Sequence, residues 1–342
     1  MKTIYRSLAA LCLAALTVAP GAGLADDRKV LKLAHHSPVS NHLSRVADAM
    51  AKHFNEKSSQ YRMEVFGAGT LYTEKGLVNS VSFGAVDMIF AASTFWEETT
   101  PEMAVLDFPM LLDSYAKAHA ALDGNMGRAL SSALERDNDI KVLGWMEFGL
   151  NGMLLNRVRP VRTVEDFKGL RLRAPNTFAS IMLESLGASS VITSSSEVYM
   201  ALQRGTIDGT FTGPKSVVER KFYEVSKYAT YLPAAFSTQP LVVAQRTWSR
   251  LDEGTRALLQ ETVAMGAGLS REWAEEDVQL GIDGAREHLG MQEFSPETLA
   301  EITALAVPES EKYLKKVAGD RGMEMLDLAR ADVAALADSQ EE

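Results

Sequence analysis

Residues 166–213, DFKGLRLRAPNTFASIMLESLGASSVITSSSEVYMALQRGTIDGTFTG, decide the fold of this chain. Three segments have the short, alternating or β-branched composition of strands, and the two segments between them have the apolar spacing of helices. Gly187 stands just after the first of these helices, where a left-handed residue commonly ends one. Strand–helix–strand alternation is typical of a mainly parallel sheet with helices on both faces. The stretch therefore predicts an α/β fold.

The first strand of this stretch, LRLRA at 170–174, carries Arg171 and Arg173. Successive side chains of a strand point to opposite faces, so both arginines lie on one face and the three apolar residues on the other. This alternation cannot choose between the arginines. From composition alone, a solvent-facing role is favoured for both of them.

The remaining sequence predicts two domains that the chain crosses by strands. Upstream, strands and helices alternate in the same way, with one helix from about Ser114 to Arg136. Downstream of Leu251 the chain is almost wholly helical, and Ser295 and Pro296 predict the start of its final helical part. The first helical run covers about 38 residues without proline, which exceeds the usual 8 to 20, so we expect it to bridge two domains.

We place the domain boundaries from these elements. Residues 26–150 with about 236–270 form the first α/β domain, and residues 151–235 with about 271–330 form the second. Residues 331–342 are predicted to be a C-terminal tail.

Residues 1–25 have the order of a secretory signal peptide. Lys2 and Arg6 precede an apolar run, and small residues follow it near Ala25. We expect the mature chain to be exported to the periplasm and not inserted in the membrane after the leader is removed. Cys12, the sole cysteine, lies inside this leader, which excludes disulfides and thiolate sites from the mature chain.

Charge and motifs exclude several classes of function. The net charge of −10 argues against nucleic acid as a partner, and it means that an anion site would need local arginines or helix N-termini. There is no GxSxG, P-loop or HExxH motif. His35 and His36 are adjacent on a strand and point opposite ways, so a shared metal ion is not expected. We predict no cofactor, no metal and no enzymatic activity.

Three segments resemble one known family. They are PEMAVLDFPMLL at 101–112, TVEDFKGLRLRAPN at 163–176, and residues 184–230, which include SEVYMALQRGTIDG and KFYEVSKY. Together they are similar to the solute-binding proteins of TRAP transporters, the DctP-like family, from about Leu31 to beyond Gly290. The resemblance implies a two-domain periplasmic binding protein of type II-like, Venus-flytrap architecture. It also implies a deep cleft, a long helix spanning both domains, and delivery of an organic acid to a TRAP-type membrane permease.

The family pattern also implies site residues. It places Arg173, not Arg171, as the arginine that clamps the ligand carboxylate through a two-pronged salt bridge. Further positions carried over from the pattern are His36, Glu74, Phe211, Thr212 and Gln239. Asn176 and the aromatic residues Trp96 and Phe148, which lie close by in sequence, are further candidates for ligand binding.

Departures from the family pattern point to a class of ligand. Residues 150–155 contain no basic side chain where many members have a second arginine, and Phe211 and Thr212 stand where members often have glutamate and asparagine. A single arginine clamp and a less polar rim of the binding site predict a monocarboxylate with an apolar or aromatic body. The alternative for Trp96, Phe148 and Phe211 is that each belongs to the hydrophobic core. Two other functions stay open: a receptor that feeds a sensor kinase, and an exported enzyme on the same scaffold.

Overall fold

The computed structural model describes residues 26–338, apart from the side chains of Glu74, Ala337 and Asp338. The predicted leader therefore lies outside the described residues. Nine strands form one sheet in the order β2-β1-β3-β8-β4-β7-β5-β6, with β9 added beside β8. The strands are β1 (Lys29–Ala34), β2 (Tyr61–Phe66), β3 (Met88–Phe90), β4 (Ile140–Asn156), β5 (Arg171–Ala174), β6 (Ser189–Ile192), β7 (Gly209–Thr212), β8 (Tyr228–Ala244) and β9 (Gly290–Glu293).

Ten helical segments surround this sheet. They are α1 (His42–Lys57), α2 (Glu74–Ser82), α3 (Tyr115–Asp123), α4 (Asn125–Asp137), α5 (Thr177–Ser185), α6 (Ser195–Arg204), α7 (Ser216–Glu219), α8 (Gln245–Arg250), α9 (Glu253–His288) and α10 (Pro296–Asp338). Short 3₁₀ turns add Ser93–Phe95, Pro101–Asp107, Val164–Phe167 and Phe222–Glu224.

The sheet is mixed rather than mainly parallel. β1 pairs in parallel with β2 and β3, and β5 pairs in parallel with β6 and β7. Between these groups run β4 and β8, two 17-residue strands that pair with each other antiparallel. β4 passes through a bulge at Gly149, whose φ of +105° lies in the region that favours glycine. The α/β class is confirmed, with a long antiparallel pair at its centre.

The prediction of a single helix from about Ser114 to Arg136 is wrong. The segment forms α3 and α4, separated at Gly124. Asp332 from α10 accepts hydrogen bonds there from the Met126 amide at 2.8 Å and from the Asn125 side chain at 2.7 Å. A Cβ on Gly124 would lie 2.5 Å from the Asp332 carboxylate, so the glycine admits this cap. Asp332 satisfies amides at the start of α4, and the helix begins anew.

The C-terminal helices follow the prediction more closely. α9 has 36 residues, as the proline-free run predicted. Ser295 accepts a hydrogen bond from the Thr298 amide at 3.2 Å, which confirms the predicted start of α10. α10 consists of two helices that meet at a kink at Gly319 (φ 61°, ψ −147°). Residues 331–338, assigned to a terminal tail from sequence, form the end of this helix. Among residues 26–338, no helix combines the length and apolar character needed to cross a membrane.

The sheet topology brings strand ends together at the middle of β4 and β8. β3 ends with Phe90 beside Leu241 of β8, and β7 ends with Thr212 beside Met153 of β4. The β3 group (β1–β3) and the β7 group (β5–β7) enter the β4–β8 pair from opposite ends and run in opposite directions. The carboxyl ends of both groups therefore point toward the middle of the pair. Ligands of open α/β sheets bind outside the carboxyl ends of strands. Here both sets of ends face one place.

Candidate functional site

A cleft lies at this meeting point and contains two connected cavities. Both are lined by His36, Phe148, Asn151 and Pro175. The arginine cavity, of about 290 Å³, is further lined by Pro38, Asn41, Arg173, Ser195, Thr212, Gly213, Ser216, Glu219 and Arg220. The Asp107 cavity, of about 210 Å³, is further lined by Ala92, Ser93, Thr94, Asp107, Asn176, Ser237, Thr238 and Gln239.

Arg173 lies in the arginine cavity as a buried cation without an acidic partner. Its side chain donates to the carbonyl of Thr193 at 2.8 Å, to the carbonyl of Phe211 at 3.3 Å and to the hydroxyl of Ser195 at 3.3 Å. The residue is only 4% exposed, and no carboxylate of residues 26–338 pairs with it. Burial and then the charge of Arg220 lower its pKa to about 10, so it stays protonated at neutral pH. Such a group favours a bound anion.

Arg171, on the same strand face, has a different environment. Its guanidinium pairs with Asp208 at 2.8 Å and remains about half exposed. The hydrogen bond from Arg171 is also the main reason why the pKa of Asp208 lies below its usual value. The two arginines therefore differ in their neighbours, because Arg171 begins β5 at the outer edge and Arg173 approaches the end that faces the cleft.

Arg220 is a second arginine in the arginine cavity. It follows α7, is partly buried, and forms no salt bridge with the described part of the chain. The sequence predicted no second arginine, because it was sought in β4 at residues 150–155. Tertiary structure instead brings Arg220 to the cavity from a segment about 50 residues downstream of Arg173. Its position after a four-residue helix left no periodic signal by which it could have been found.

Helix N-termini add to the positive character of the cleft. Asn41 caps α1, Asn176 caps α5 and Ser194 caps α6, each by accepting a backbone hydrogen bond with its side chain. These three helices follow strands whose carboxyl ends reach the cleft, so their N-termini begin beside it. The positive ends of helix dipoles favour anions within the first turn.

The Asp107 cavity has an acidic character. Asp107 is 8% exposed, and burial raises its pKa to about 7. Its Oδ1 accepts a hydrogen bond from Asn176 Nδ2 at 3.0 Å. Glu97 lines an adjoining cavity of about 200 Å³ together with Asp107, and burial followed by the Asp107 charge raises its pKa to about 8. Sequence reasoning missed both acids, although Asp107 lies in PEMAVLDFPMLL, one of the segments that resemble the family.

The structure brings most of the residues carried over from the family pattern to this cleft, but not all. Trp96 and Phe211 are buried in the hydrophobic core at 0% and 1% exposure, and neither side chain lines a cleft cavity. The carbonyl of Phe211 nevertheless positions Arg173. Glu74 is the first residue of α2, and its side chain is outside the described structure. The residues that line the cleft are His36, Phe148, Arg173, Asn176, Thr212 and Gln239.

A wider depression lies elsewhere, between α4 and β4, with a volume of about 440 Å³. Its charged residues already have partners within the chain: Lys141 pairs with Glu135 at 2.8 Å, and Arg128 donates to Asn125 at 2.9 Å. Within residues 26–338, no cluster of three or more histidines, cysteines or acids is arranged to hold a metal ion. The cleft is therefore the candidate site.

Comparison with known proteins identifies the family. The family model described as bacterial extracellular solute-binding protein, family 7 (DctP) matches residues 33–316. The 2,3-diketo-L-gulonate-binding periplasmic protein YiaO of Escherichia coli is 30% identical over 69% of this chain and 74% of its own length. The C4-dicarboxylate-binding periplasmic protein DctP of Rhodobacter capsulatus is 27% identical over 74% of this chain and 77% of its own length.

The fold matches as well. A TRAP periplasmic solute-binding protein from Ochrobactrum anthropi superposes with a TM-score of 0.84 at 23% identity, covering 92% of this chain and 97% of that one. The architecture is thus the two-domain fold of these binding proteins, with α9 as the long helix of the sequence prediction. The chain belongs to the DctP family of bacterial extracellular solute-binding proteins, family 7, the solute-binding proteins of TRAP transporters.

Proposed function

We propose that this protein is a periplasmic receptor that binds a small organic acid through an Arg173–carboxylate clamp and delivers it to a TRAP-type membrane permease. The observation that carries the proposal is the buried, unpaired Arg173 in a cleft that also contains Arg220. Relatives named for a sugar acid and for C4-dicarboxylates support the organic-acid class, and their description as periplasmic supports the location.

Arg173 suits a carboxylate for physical reasons. A guanidinium offers parallel N–H donors that match the two carboxylate oxygens, and the bonds strengthen where water is excluded. An unpaired buried charge is unfavourable, as the lowered pKa of Arg173 reflects. A ligand carboxylate would relieve this cost. Its contacts to both walls would favour the closed cleft, which is how a permease could distinguish loaded from empty receptor.

The distribution of charge favours a monocarboxylate with an apolar segment. Both arginines lie in one cavity, so they can share one carboxylate. Phe148 and Pro175 line the passage between the cavities and offer an apolar wall to the body of the ligand. Among residues 26–338, no arginine or lysine lines the Asp107 cavity, so a second carboxylate there would meet Asp107 without a countercharge.

The proposal is tested by a thermal-shift screen of organic acids at pH 7.5, followed by calorimetry. A ligand present at about 100 times its dissociation constant stabilises the protein by about 2.7 kcal/mol. Arg173→Met is expected to lose most of this stabilisation, whereas Arg171→Met, on the same strand but outside the cleft, should keep it. Equal binding by wild type and Arg173→Met would refute the clamp.

Two further measurements test which acid the protein binds and whether the protein consumes it. Gently prepared wild-type protein should retain an organic acid that co-purifies with it. Denaturation should release this acid, and mass spectrometry should identify it. The Arg173→Met protein should release none. Incubation of the purified protein with that acid should leave it unchanged, because a receptor binds without turnover. Consumption of the acid would instead support an enzyme.

A further inference from the structure

Within residues 26–338, two buried acceptor atoms of the Asp107 cavity have no hydrogen-bond partner. They are Oδ2 of Asp107 and Oε1 of Gln239, in residues that are 8% and 4% exposed. Asp107 ends the 3₁₀ turn Pro101–Asp107, and Gln239 lies in β8. Both residues line the same cavity.

Unpaired buried acceptors are uncommon, and those in a native structure call for an explanation. The neighbouring hydroxyl of Thr238 cannot supply a donor as it stands, because it donates to the Met146 carbonyl at 3.0 Å. The Asn176 side chain donates to Oδ1 of Asp107 and accepts from the Ala179 amide. Neither Thr238 nor Asn176 donates a hydrogen bond to the two free oxygens.

We propose that the Asp107 cavity is a subsite for a hydrogen-bond donor, a hydroxyl or ammonium group, carried by the organic acid at the end away from its carboxylate. This inference rests on the proposed function, since Arg173 and Arg220 hold the carboxylate end. A donor group would pair with Asp107 Oδ2 and Gln239 Oε1, whereas a methyl group would leave both oxygens unpaired. A distal carboxylate would add a like charge beside Asp107 and Glu97.

The ligand class is therefore an ω-hydroxy or ω-amino monocarboxylic acid with an apolar middle. Each part of the cleft matches one part of this ligand. The arginine cavity matches the carboxylate, Phe148 and Pro175 match the apolar middle, and the Asp107 cavity matches the donor. Specificity of this kind is strong, because a site built to accept a hydrogen bond disfavours the analogue that lacks the donor.

The inference is tested with matched acids at pH 8. Affinities are measured by calorimetry for pentanoate and hexanoate, their ω-hydroxy and ω-amino forms, adipate, and the pair benzoate and 4-hydroxybenzoate. The donor-bearing acids are expected to bind at least about tenfold more tightly than their parents. Adipate is expected to bind more weakly than 6-hydroxyhexanoate.

The decisive variant is Asp107→Asn. It keeps the acceptor for Asn176 but places an NH₂ group where the free oxygen was, so the ammonium group of an ω-amino acid, which can only donate, would face a donor. The preference for the ω-amino acids over their parent acids should disappear. Asp113→Asn, an aspartate that pairs with Lys117 outside both cavities, should keep the preference.

The outcomes separate this inference from the proposed function. Equal affinity for parent and donor-bearing acids, or a preference for the ω-amino acids that survives Asp107→Asn, would overturn the subsite even if Arg173→Met abolishes all binding. If no acid of the panel binds, or if Arg173→Met binds them as well as wild type does, the proposed function fails and the subsite with it.

Discussion

Asn176 joins the two walls of the cleft to each other by donating a hydrogen bond to Asp107 over 3.0 Å. The same side chain caps α5, because its oxygen accepts from the Ala179 amide at 2.9 Å. One residue thus fixes the start of a helix on one wall and holds a carboxylate of the other wall. Asp107 is thereby kept at the cavity with one oxygen bound and one free.

Asn176→Asp is expected to destabilise the protein more at pH 8 than at pH 5. Aspartate still caps a helix, but its carboxylate would lie next to that of Asp107, whose pKa is already raised by burial. The loss should be about 1–3 kcal/mol at pH 8 in urea unfolding. Asn176→Ser is the control: it keeps a capping oxygen and adds no charge, so its loss should depend less on pH and reflect only the missing hydrogen bond that lowers the pKa of Asp107. A pH-independent loss for Asn176→Asp would contradict the contact.

Asp107 and Glu97 should make the ligand-free protein less stable as pH rises. Burial raises their pKa values to about 7 and about 8, whereas carboxyls in the unfolded chain titrate near 4. Between these values the folded protein holds protons that the unfolded chain has released. The contribution of these two acids to the free energy of unfolding therefore falls as pH rises from about 4 to about 8. Asp107→Asn should flatten this slope in urea unfolding at pH 5, 6, 7 and 8. An unchanged slope would refute the raised pKa of Asp107.

His35 should make the protein less stable as pH falls. It is fully buried, stacks on Phe90 at 4.7 Å, and burial lowers its pKa to about 4. Unfolded histidine titrates near 6.5, so between pH 6.5 and 4 the unfolded chain binds a proton that the folded protein does not. The contribution of His35 to the free energy of unfolding should fall as pH decreases through this window. His35→Leu should weaken that acid sensitivity, measured by thermal unfolding. Phe90→Leu should lower the unfolding midpoint without changing its pH dependence.

Arg220→Gln should weaken acid binding by about three- to tenfold, less than Arg173→Met. Arg220 is less buried than Arg173, so water screens its attraction to a carboxylate more strongly. The remaining affinity should also depend less on salt, because one cation has left the cavity. Calorimetry at 20 and 300 mM salt measures both effects. Arg204→Gln on the exposed end of α6 is the matched control. An affinity equal to that of wild type would show that Arg220 does not reach the ligand.

Local patterns predicted the elements that depend on neighbours in sequence. The α/β alternation, the long α9 and the start of α10 at Ser295 and Pro296 follow from apolar spacing and capping chemistry, which act over a few residues. The break at Gly124 did not follow, because Asp332, which caps α4 there, lies more than 200 residues away. The antiparallel β4–β8 pair is equally non-local.

For the site, the sequence by itself determined that Arg171 and Arg173 share one strand face, and the family pattern selected Arg173. Only the tertiary structure decided their environments: packing buries Arg173 at the inner end of β5 and leaves Arg171 with Asp208. It also brought Arg220 and Asp107 to the cleft and placed Trp96 and Phe211 in the core. Burial and charge proximity arise when distant segments meet. A pattern of period two or 3.6 specifies a face, and the elements packed against that face decide whether it is solvent, core or site.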